Sequence, residues 1–208
     1  GGAYQAGGVS GMTKRALITG GQQGIGLGIA MALAKAGYDI VIAAELPPPA
    51  DAVQAALGQL GPKARYFQHD LQDVGGIPAL LDVVGPITTF ISNAGVPAQV
   101  RGDMLDMTPD SFDRVMAINL RGGFFLSQAV ARYMIRTPPV HPLCICFVTS
   151  VSATMASIER AEYCISKSGA AMMAQLFAAR LAADGIAVFE LRPGIIETGM
   201  TAAVHDTY

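Results

Sequence analysis

Tyr163 precedes Lys167 by four residues in the segment Tyr163-Cys164-Ile165-Ser166-Lys167. On a helix, residues four apart share a face, so the ammonium of Lys167 can lie beside the phenol of Tyr163. A tyrosine ordinarily ionises near pH ~10, and a neighbouring positive charge favours the ionised form. The spacing therefore predicts a tyrosine whose pKa is lowered enough for it to act as a general acid and base. An ordinary helical aromatic beside a surface lysine is the alternative.

Two further polar residues occur where they could assist this phenol. Ser150 lies thirteen residues before Tyr163, and the intervening loop could return its hydroxyl to hydrogen-bond a substrate oxygen. No neighbouring base would make Ser150 a nucleophile, and the Gly-x-Ser-x-Gly pattern of serine hydrolases is absent from the sequence; the alternative is a turn residue. Asn119 interrupts an apolar helical pattern, where asparagine is unfavourable and most often points to solvent.

A glycine-rich turn occupies residues 19–26 (TGGQQGIG), between the first predicted strand and a predicted helix. Glycine lets the backbone approach a pyrophosphate closely, and a helix N-terminus offers free amides to its charge. The spacing Gly-x-x-x-Gly-x-Gly departs from Gly-x-Gly-x-x-Gly, so a tight strand-to-helix turn is the alternative. Glu45, about 20 residues further on, is placed to bind ribose hydroxyls, with a solvated loop charge as its alternative.

These residues require a scaffold of alternating strands and helices. Strands are predicted over Ala16–Thr19, Ile40–Ala43, Ala64–Gln68, Thr88–Ser92, Leu143–Thr149 and Ala187–Leu191. Their near-continuous apolar composition is typical of parallel strands covered on both faces. We therefore predict an α/β fold, a Rossmann-type doubly wound parallel sheet with helices on both faces, in a single domain. Its ligand crevice lies beyond the carboxyl ends of the strands.

Helix signals place the remaining elements. A helix follows the glycine turn and ends before Gly37. Thr108 and Pro109 have the residue types of an N-cap and a first helical position, and predict one long helix over residues 108–134. A second long helix is predicted over residues 162–183, before Gly185.

Composition excludes several classes of function. Only 14% of the 208 residues are charged, 51% are hydrophobic and the net charge is −2. No basic run interleaves with aromatics, so no nucleic-acid partner is expected. No apolar stretch is long enough to cross a bilayer and no secretion signal is visible, which predicts a cytoplasmic protein without a membrane partner. The small charged surface predicts that part of the apolar surface contacts another subunit.

The cysteines and histidines form no metal motif. Cys144 and Cys146 fall in a predicted strand, and with Cys164 they are expected to be buried, reduced thiols. Residues 1–11 are expected to be a flexible or expression-derived arm, and residues 12–208 an NAD(P)-binding Rossmann domain.

Taken together, these features make the chain resemble the short-chain dehydrogenase/reductase family, and within it the 3-oxoacyl-acyl-carrier-protein reductase group. The resemblance runs from about Lys14 to Met200. It is carried by the glycine turn, Asp70-Leu71, Asn93-Ala94-Gly95, Asn119, Ser150, the Tyr163 and Lys167 pair, and Arg192-Pro193-Gly194-Ile195-Ile196 with Thr198.

The resemblance implies a role for each matching residue. Tyr163 would exchange the substrate proton, while Lys167 would lower its pKa and hold the nicotinamide ribose. Ser150 would orient the substrate oxygen, and Asn119 would hold a water next to Lys167. Cofactor contacts are implied for Gly20, Gln23, Gly24, Ile25, Gly26, Asp70, Leu71, Asn93, Ala94, Gly95, Pro193, Ile196 and Thr198.

The implied reaction is hydride transfer between NAD or NADP and a ketone or secondary alcohol, as in a 3-oxoacyl-thioester reductase. The resemblance also implies a homodimer or homotetramer, because members of the family commonly pair their long helices. A sugar or other secondary-alcohol dehydrogenase is one alternative, and a non-catalytic dinucleotide-binding sensor or scaffold is another. Glu45, with no basic residue in the glycine turn, favours NAD over NADP. Two departures stand out: Ser92 replaces an asparagine, and the family's substrate lid and seventh strand are expected to be absent from the sequence.

Overall fold

The protein was analysed as a computed structural model that describes residues 14–137, 141–194 and 196. Its strands are β1 (Arg15–Thr19), β2 (Asp39–Ala44), β3 (Arg65–Gln68), β4 (Thr89–Ser92), β5 (Leu143–Val148) and β6 (Ile186–Leu191). Its main helices are α1 (Gly24–Lys35), α2 (Asp51–Leu60), α3 (Ile77–Val84), α4 (Pro109–Met116), α5 (Gly123–Arg136) and α6 (Ala161–Leu181). All six predicted strands are confirmed, with boundaries within one residue of those predicted.

The six strands form one parallel sheet in the order β3-β2-β1-β4-β5-β6. The chain builds outward from β1 to β3 and then returns to β4 on the other side of β1. In such a sheet the reversal point leaves a crevice beyond the carboxyl ends of the two strands. The predicted Rossmann-type architecture is therefore confirmed.

Successive residues of the strands face two separate cores, as the pleat requires. On β1, Leu17 packs into the larger core under α3, α5 and α6, whereas Ala16 and Ile18 pack with the smaller core under α1 and α2. All three side chains are fully buried. This double coverage explains why the strands are apolar on both faces.

The long helix predicted over residues 108–134 is interrupted. Thr108 caps α4 by accepting a hydrogen bond from the Ser111 amide at 3.3 Å, as predicted, but Ala117–Gly122 forms a π-helical segment before α5 begins. A Cβ on Gly122 would overlap the Leu71 carbonyl oxygen, so the π segment packs directly against the chain after β3. The helical pattern continues through the interruption, which is why the sequence did not reveal it.

The three described cysteines are free, as predicted, but they are partly exposed and not buried. Cys146 pairs in register with Phe189 of β6, whose side chain is 59% exposed. This face of the sheet stays open to solvent in the described part of the chain, which explains the error. Desolvation raises the pKa of Cys144 to about 11, so the thiol stays protonated at neutral pH. Within the described ranges, no helix is both long and apolar enough to span a membrane.

Candidate active site

A cleft of about 720 Å³ opens beyond the carboxyl ends of β1 and β4. Its wall contains most of the predicted site residues. They are Gly20, Gln23, Gly24, Ile25, Gly26, Glu45, Asp70, Leu71, Asn93, Ala94, Gly95, Tyr163 and Lys167. Of the other predicted residues, Asn119, Ser150, Pro193 and Ile196 lie outside the wall, and Thr198 lies outside the described residues.

The glycine turn has the geometry that a diphosphate requires. Gly20 and Gly24 have φ angles of 63° and 53°, a region that favours glycine. A Cβ on Gly26 would overlap the Gly20 carbonyl oxygen, so only glycine permits this close approach of helix and turn. The N-cap residue Gln23 makes no side-chain cap, which leaves the first amides of α1 free to face the cleft.

The turn is fixed to the end of β4 by a reciprocal set of hydrogen bonds. The hydroxyl oxygen of Thr19 accepts from the amides of Asn93 and Ala94, at 2.9 and 3.0 Å. The Asn93 side-chain nitrogen donates to the carbonyl oxygens of Thr19 and Gly20, at 2.9 and 3.2 Å. These bonds account for the Asn-Ala-Gly motif, because Asn93 holds the turn in shape while Ala94 and Gly95 line the cleft.

Two buried polar atoms in the cleft wall have no hydrogen-bond partner among the described residues, namely Gln22 Oε1 and His69 Nε2. A buried polar atom without a partner is costly, so both are suited to a polar ligand. These two atoms and the close backbone approach in the glycine turn are features that fit a bound dinucleotide. Sequence reasoning did not assign a site role to His69, although its position just before Asp70 at the end of β3 could have indicated one.

Lys167 occupies an unusual position for a lysine. Its side chain is 6% exposed, and Nζ donates a 3.1 Å hydrogen bond to the Val148 carbonyl oxygen. The same Nζ lies 5.7 Å from the centre of the Tyr163 ring, so the two side chains share one face of α6 as predicted. Desolvation lowers the pKa of Lys167 to about 8.

The prediction that the pKa of Tyr163 is lowered is wrong for this structure. Burial raises the pKa of Tyr163 above its ordinary value, while a hydrogen bond with Ser150 and the positive charge of Arg160 act in the opposite direction. The Arg160 guanidinium lies 5.7 Å from the Tyr163 ring centre. Burial outweighs both opposing effects because the phenol loses most of its contact with water when α6 packs against the sheet.

Ser150 follows β5 and begins the short helix Val151–Ala153. Its Oγ accepts a 3.1 Å hydrogen bond from the Ser152 amide, which fixes the side chain, and the residue is 9% exposed. The Val151 amide donates to the Pro193 carbonyl oxygen at 3.0 Å, so the chain after β6 is held beside Ser150. The hydrogen bond between Ser150 and Tyr163 shows that the predicted serine lies at the phenol.

Asn119 is buried and does not point to solvent, as a mid-helix asparagine most often does. Its Nδ2 donates to the Val96 carbonyl oxygen at 2.9 Å and to Ser166 Oγ at 3.1 Å, and its Oδ1 accepts from the Val96 amide at 2.7 Å. A methyl group on Gly95 would lie 3.1 Å from Asn119 Oδ1 and 3.6 Å from Lys167 Nζ. The absence of a side chain on Gly95 thus leaves room between the amide and the ammonium.

A doubly wound sheet with a glycine-rich turn at its crevice is the architecture of dinucleotide-binding proteins. Comparison with known proteins agrees with this class. The sequence profile of the family described as "short chain dehydrogenase" matches residues 14–208. The chain therefore belongs to the short-chain dehydrogenase/reductase family, and it is an oxidoreductase that uses a nicotinamide dinucleotide.

Individual relatives include both 3-oxoacyl-[acyl-carrier protein] reductases and gluconate dehydrogenases. The chain is 33% identical over 192 residues to 2-dehydro-3-deoxy-D-gluconate 5-dehydrogenase of Escherichia coli (strain K12), covering 90% of this chain and 74% of the relative. It is 44% identical to a crystal structure of 3-oxoacyl-[acyl-carrier protein] reductase from Brucella melitensis in complex with NAD, with a TM-score of 0.87 and coverage of 95% and 79%. A gluconate 5-dehydrogenase from Burkholderia cenocepacia in complex with NADP and tartrate is 32% identical, with a TM-score of 0.82 and coverage of 93% and 75%.

Proposed function

We propose that Tyr163, Lys167, Ser150 and Asn119 carry out ketone and secondary-alcohol interconversion in this cleft. One observation supports this most strongly: Lys167 is buried with its ammonium 5.7 Å from the Tyr163 ring, and both residues line the cleft that holds the glycine turn. A buried lysine is costly, and its presence beside a half-buried phenol is explained by acid-base chemistry.

Each side chain has a defined task in this proposal. When bound, the dinucleotide supplies or accepts the hydride. Tyr163 donates its phenolic proton to the carbonyl oxygen during reduction and takes it back during oxidation. The phenol is protonated at neutral pH, because burial raises the pKa of Tyr163 above its ordinary value, and it therefore holds the proton that reduction requires. Ser150 hydrogen-bonds the same substrate oxygen, and Lys167 holds the nicotinamide ribose.

Asn119 has a supporting task. Its side-chain bonds to Val96 and Ser166 fix the π segment beside Lys167. The Oδ1 atom keeps one lone pair beyond the Val96 bond, and it can accept a hydrogen bond from a water near the Lys167 ammonium. Such a water would connect the proton on Tyr163 to solvent.

The proposed substrate is a 3-oxoacyl thioester. The Brucella melitensis reductase, at 44% identity, supports it, whereas the Escherichia coli sugar-acid dehydrogenase supports a second candidate, a sugar or other secondary-alcohol dehydrogenase. The test compares acetoacetyl thioesters with gluconate and simple polyols, following nicotinamide absorbance. A kcat/KM for the thioester at least about tenfold above the polyols, or ~1.4 kcal/mol, is expected. The reverse order would overturn this choice of substrate in favour of the second candidate.

The proposed cofactor is NAD. Glu45 directly follows β2 in the cleft wall, where its carboxylate would accept hydrogen bonds from ribose hydroxyls and repel a 2′-phosphate. NADH should bind with a lower Kd than NADPH, and Glu45→Gln should reduce the ratio of the NADPH Kd to the NADH Kd. Asp51→Asn is the control, because that exposed carboxylate lies nearby at the start of α2. A lower Kd for NADPH in the unmodified protein contradicts the assignment.

The proposed partner is a second copy of the chain. A groove of about 630 Å³ lies between α6 and the helices α4 and α5, and the surface that lines it is mainly apolar. Met172 and Leu176 of α6 are 52% and 58% exposed there, and Phe125 of α5 is 37% exposed. From Tyr163 to Leu181 the only charged residues are Lys167 and Arg180. Exposed apolar helices of this kind are typical of homodimer interfaces.

The oligomer is tested by light scattering after size exclusion. Unmodified protein should elute as a dimer or tetramer, and Leu176→Glu should shift it toward the monomer. Met31→Glu serves as the control, because Met31 is 46% exposed on α1, outside the residues that line this groove. A monomeric unmodified protein at micromolar concentration, or equal effects of the two variants, would refute this interface.

A further inference from the structure

Glu162 is a buried carboxylate for which the proposed mechanism has no task. It is 2% exposed although it lies directly before Tyr163 at the start of α6. Its Oε1 accepts a 2.7 Å hydrogen bond from the hydroxyl of Ser111, which is itself 6% exposed. Within the described ranges, Glu162 forms no salt bridge. Burying a carboxylate without an ion pair is costly, so the hydrogen bond from Ser111 is the contact that compensates for this cost.

Ser111 connects this carboxylate to the loop after β4. It occupies the first turn of α4, where free amides and the helix dipole favour a nearby negative charge. The Gln99 amide donates to Ser111 Oγ at 3.4 Å, while the Ser111 hydroxyl proton is directed to Glu162. One hydroxyl therefore joins the loop, α4 and α6 at a single point.

The same loop is attached at two other residues, one three positions before Gln99 and one three positions after it. Val96 exchanges hydrogen bonds with Asn119, and the Gly102 amide donates to the Glu159 carbonyl oxygen at 3.2 Å. Val96, the first of these attachment points, and the adjacent Pro97 line the cleft together with Tyr163. The loop over residues 96–102 therefore forms a wall beside the acid-base residue, fixed at residues 96, 99 and 102.

We propose that Glu162 is a positioning residue that, through Ser111, holds the loop at residues 96–102 against α6 and so shapes the substrate side of the cleft. This inference rests on the proposed function for its kinetic consequence. Glu162 acts through the position of the loop in this proposal, because the hydrogen bond that its carboxylate accepts comes from Ser111. Its amide analogue should therefore substitute for it, since a glutamine oxygen also accepts the Ser111 proton.

The kinetic test compares Glu162→Ala, Ser111→Ala and Glu162→Gln with the exposed Asp110→Asn next to Ser111 as the control. Loss of the Ser111 bond should raise KM for the carbonyl substrate about tenfold, with kcat within about twofold and cofactor Kd unchanged. Glu162→Gln should restore most of the affinity, and the Glu162→Ala, Ser111→Ala double variant should be no worse than either single one.

Amide hydrogen exchange gives a readout that does not depend on any substrate. Protection at Gln99 and Gly102 should fall at least about tenfold in Glu162→Ala and Ser111→Ala but not in Asp110→Asn. If the unmodified enzyme reduces none of the carbonyl compounds, the proposed function is wrong. The exchange measurement still tests the positioning role of Glu162, because it needs no substrate. Unchanged exchange at both amides, a fall in kcat at constant KM, or failure of Glu162→Gln to rescue would each overturn the positioning role. If Glu162→Ala does not fold, Ser111→Ala and Glu162→Gln decide the matter.

Discussion

Asn119 and Val96 exchange two hydrogen bonds, at 2.7 Å from the Val96 amide to Oδ1 and at 2.9 Å from Nδ2 to the Val96 carbonyl oxygen. An asparagine side chain thereby mimics a neighbouring strand for the residue that follows Gly95. The π segment Ala117–Gly122 turns Asn119 toward this partner, and α4 and α5 continue the helix on either side of it. The irregular helix and the cleft wall are therefore one structural unit.

Replacement of Asn119 should be costly to stability. In Asn119→Ala, the backbone amide and carbonyl of Val96 both lose their hydrogen bonds to the Asn119 side chain, and each such group costs about 1–3 kcal/mol when buried. We expect the free energy of unfolding to fall by about 3 kcal/mol in urea titrations, because Val96 is only partly buried. The exposed Gln175→Ala on α6 is the control, with a change within about 0.5 kcal/mol. Equal effects of the two substitutions would show that the Val96 bonds contribute little.

The geometry of the glycine turn predicts that alanine has opposite effects on stability at two glycines of α1, Gly26 and Gly28. Gly26→Ala would force a methyl group onto the Gly20 carbonyl oxygen, whereas a methyl group at Gly28 meets nothing within 4 Å. Gly26→Ala should weaken NADH binding at least about tenfold and lower stability by about 1–3 kcal/mol. Gly28→Ala should bind NADH normally and gain up to about 1 kcal/mol, since alanine is the better helix former. Fluorescence titration of NADH and thermal melts measure both effects, and normal NADH affinity in Gly26→Ala would contradict this role of the glycine turn.

The buried ammonium predicts a pH-dependent stability in the cofactor-free protein. The pKa of Lys167 is about 8 in the folded chain against an ordinary value of 10.5. The unfolded chain therefore binds the extra proton between about pH 8 and 10.5, and this group's contribution to stability rises with pH across that window. Below pH 8 its burial costs about 3 kcal/mol in full.

Lys167→Met should remove that cost. The loss of the hydrogen bond to Val148 offsets about 1 kcal/mol, so the variant should be about 2 kcal/mol more stable than the unmodified protein at pH 7. The difference in the free energy of unfolding between the two proteins should become smaller as the pH approaches 10. Urea unfolding of both proteins at several pH values isolates the contribution of this one group. A constant difference across that range would mean that Lys167 titrates normally.

The fold and most of the cleft could be predicted because their causes are local in the sequence. Apolar runs identify buried parallel strands, and the glycine spacing identifies the turn before α1. The raised pKa of Tyr163 could not be predicted, because it depends on how deeply α6 packs and not on the spacing of Tyr163 and Lys167. The contact between Glu162 and Ser111 joins residues 51 positions apart, and no local pattern marks it.

In the proposed reaction, the phenol of Tyr163 exchanges the substrate proton in the cleft. The most direct measurement is single-turnover oxidation of bound NADH by a carbonyl substrate in the unmodified enzyme and in Tyr163→Phe, together with the Kd of NADH for both. We predict that Tyr163→Phe slows the hydride step by at least about 10²-fold, the lower range for general acid catalysis, while the Kd of NADH changes by less than about threefold. A hydride step of normal rate in Tyr163→Phe would contradict the account.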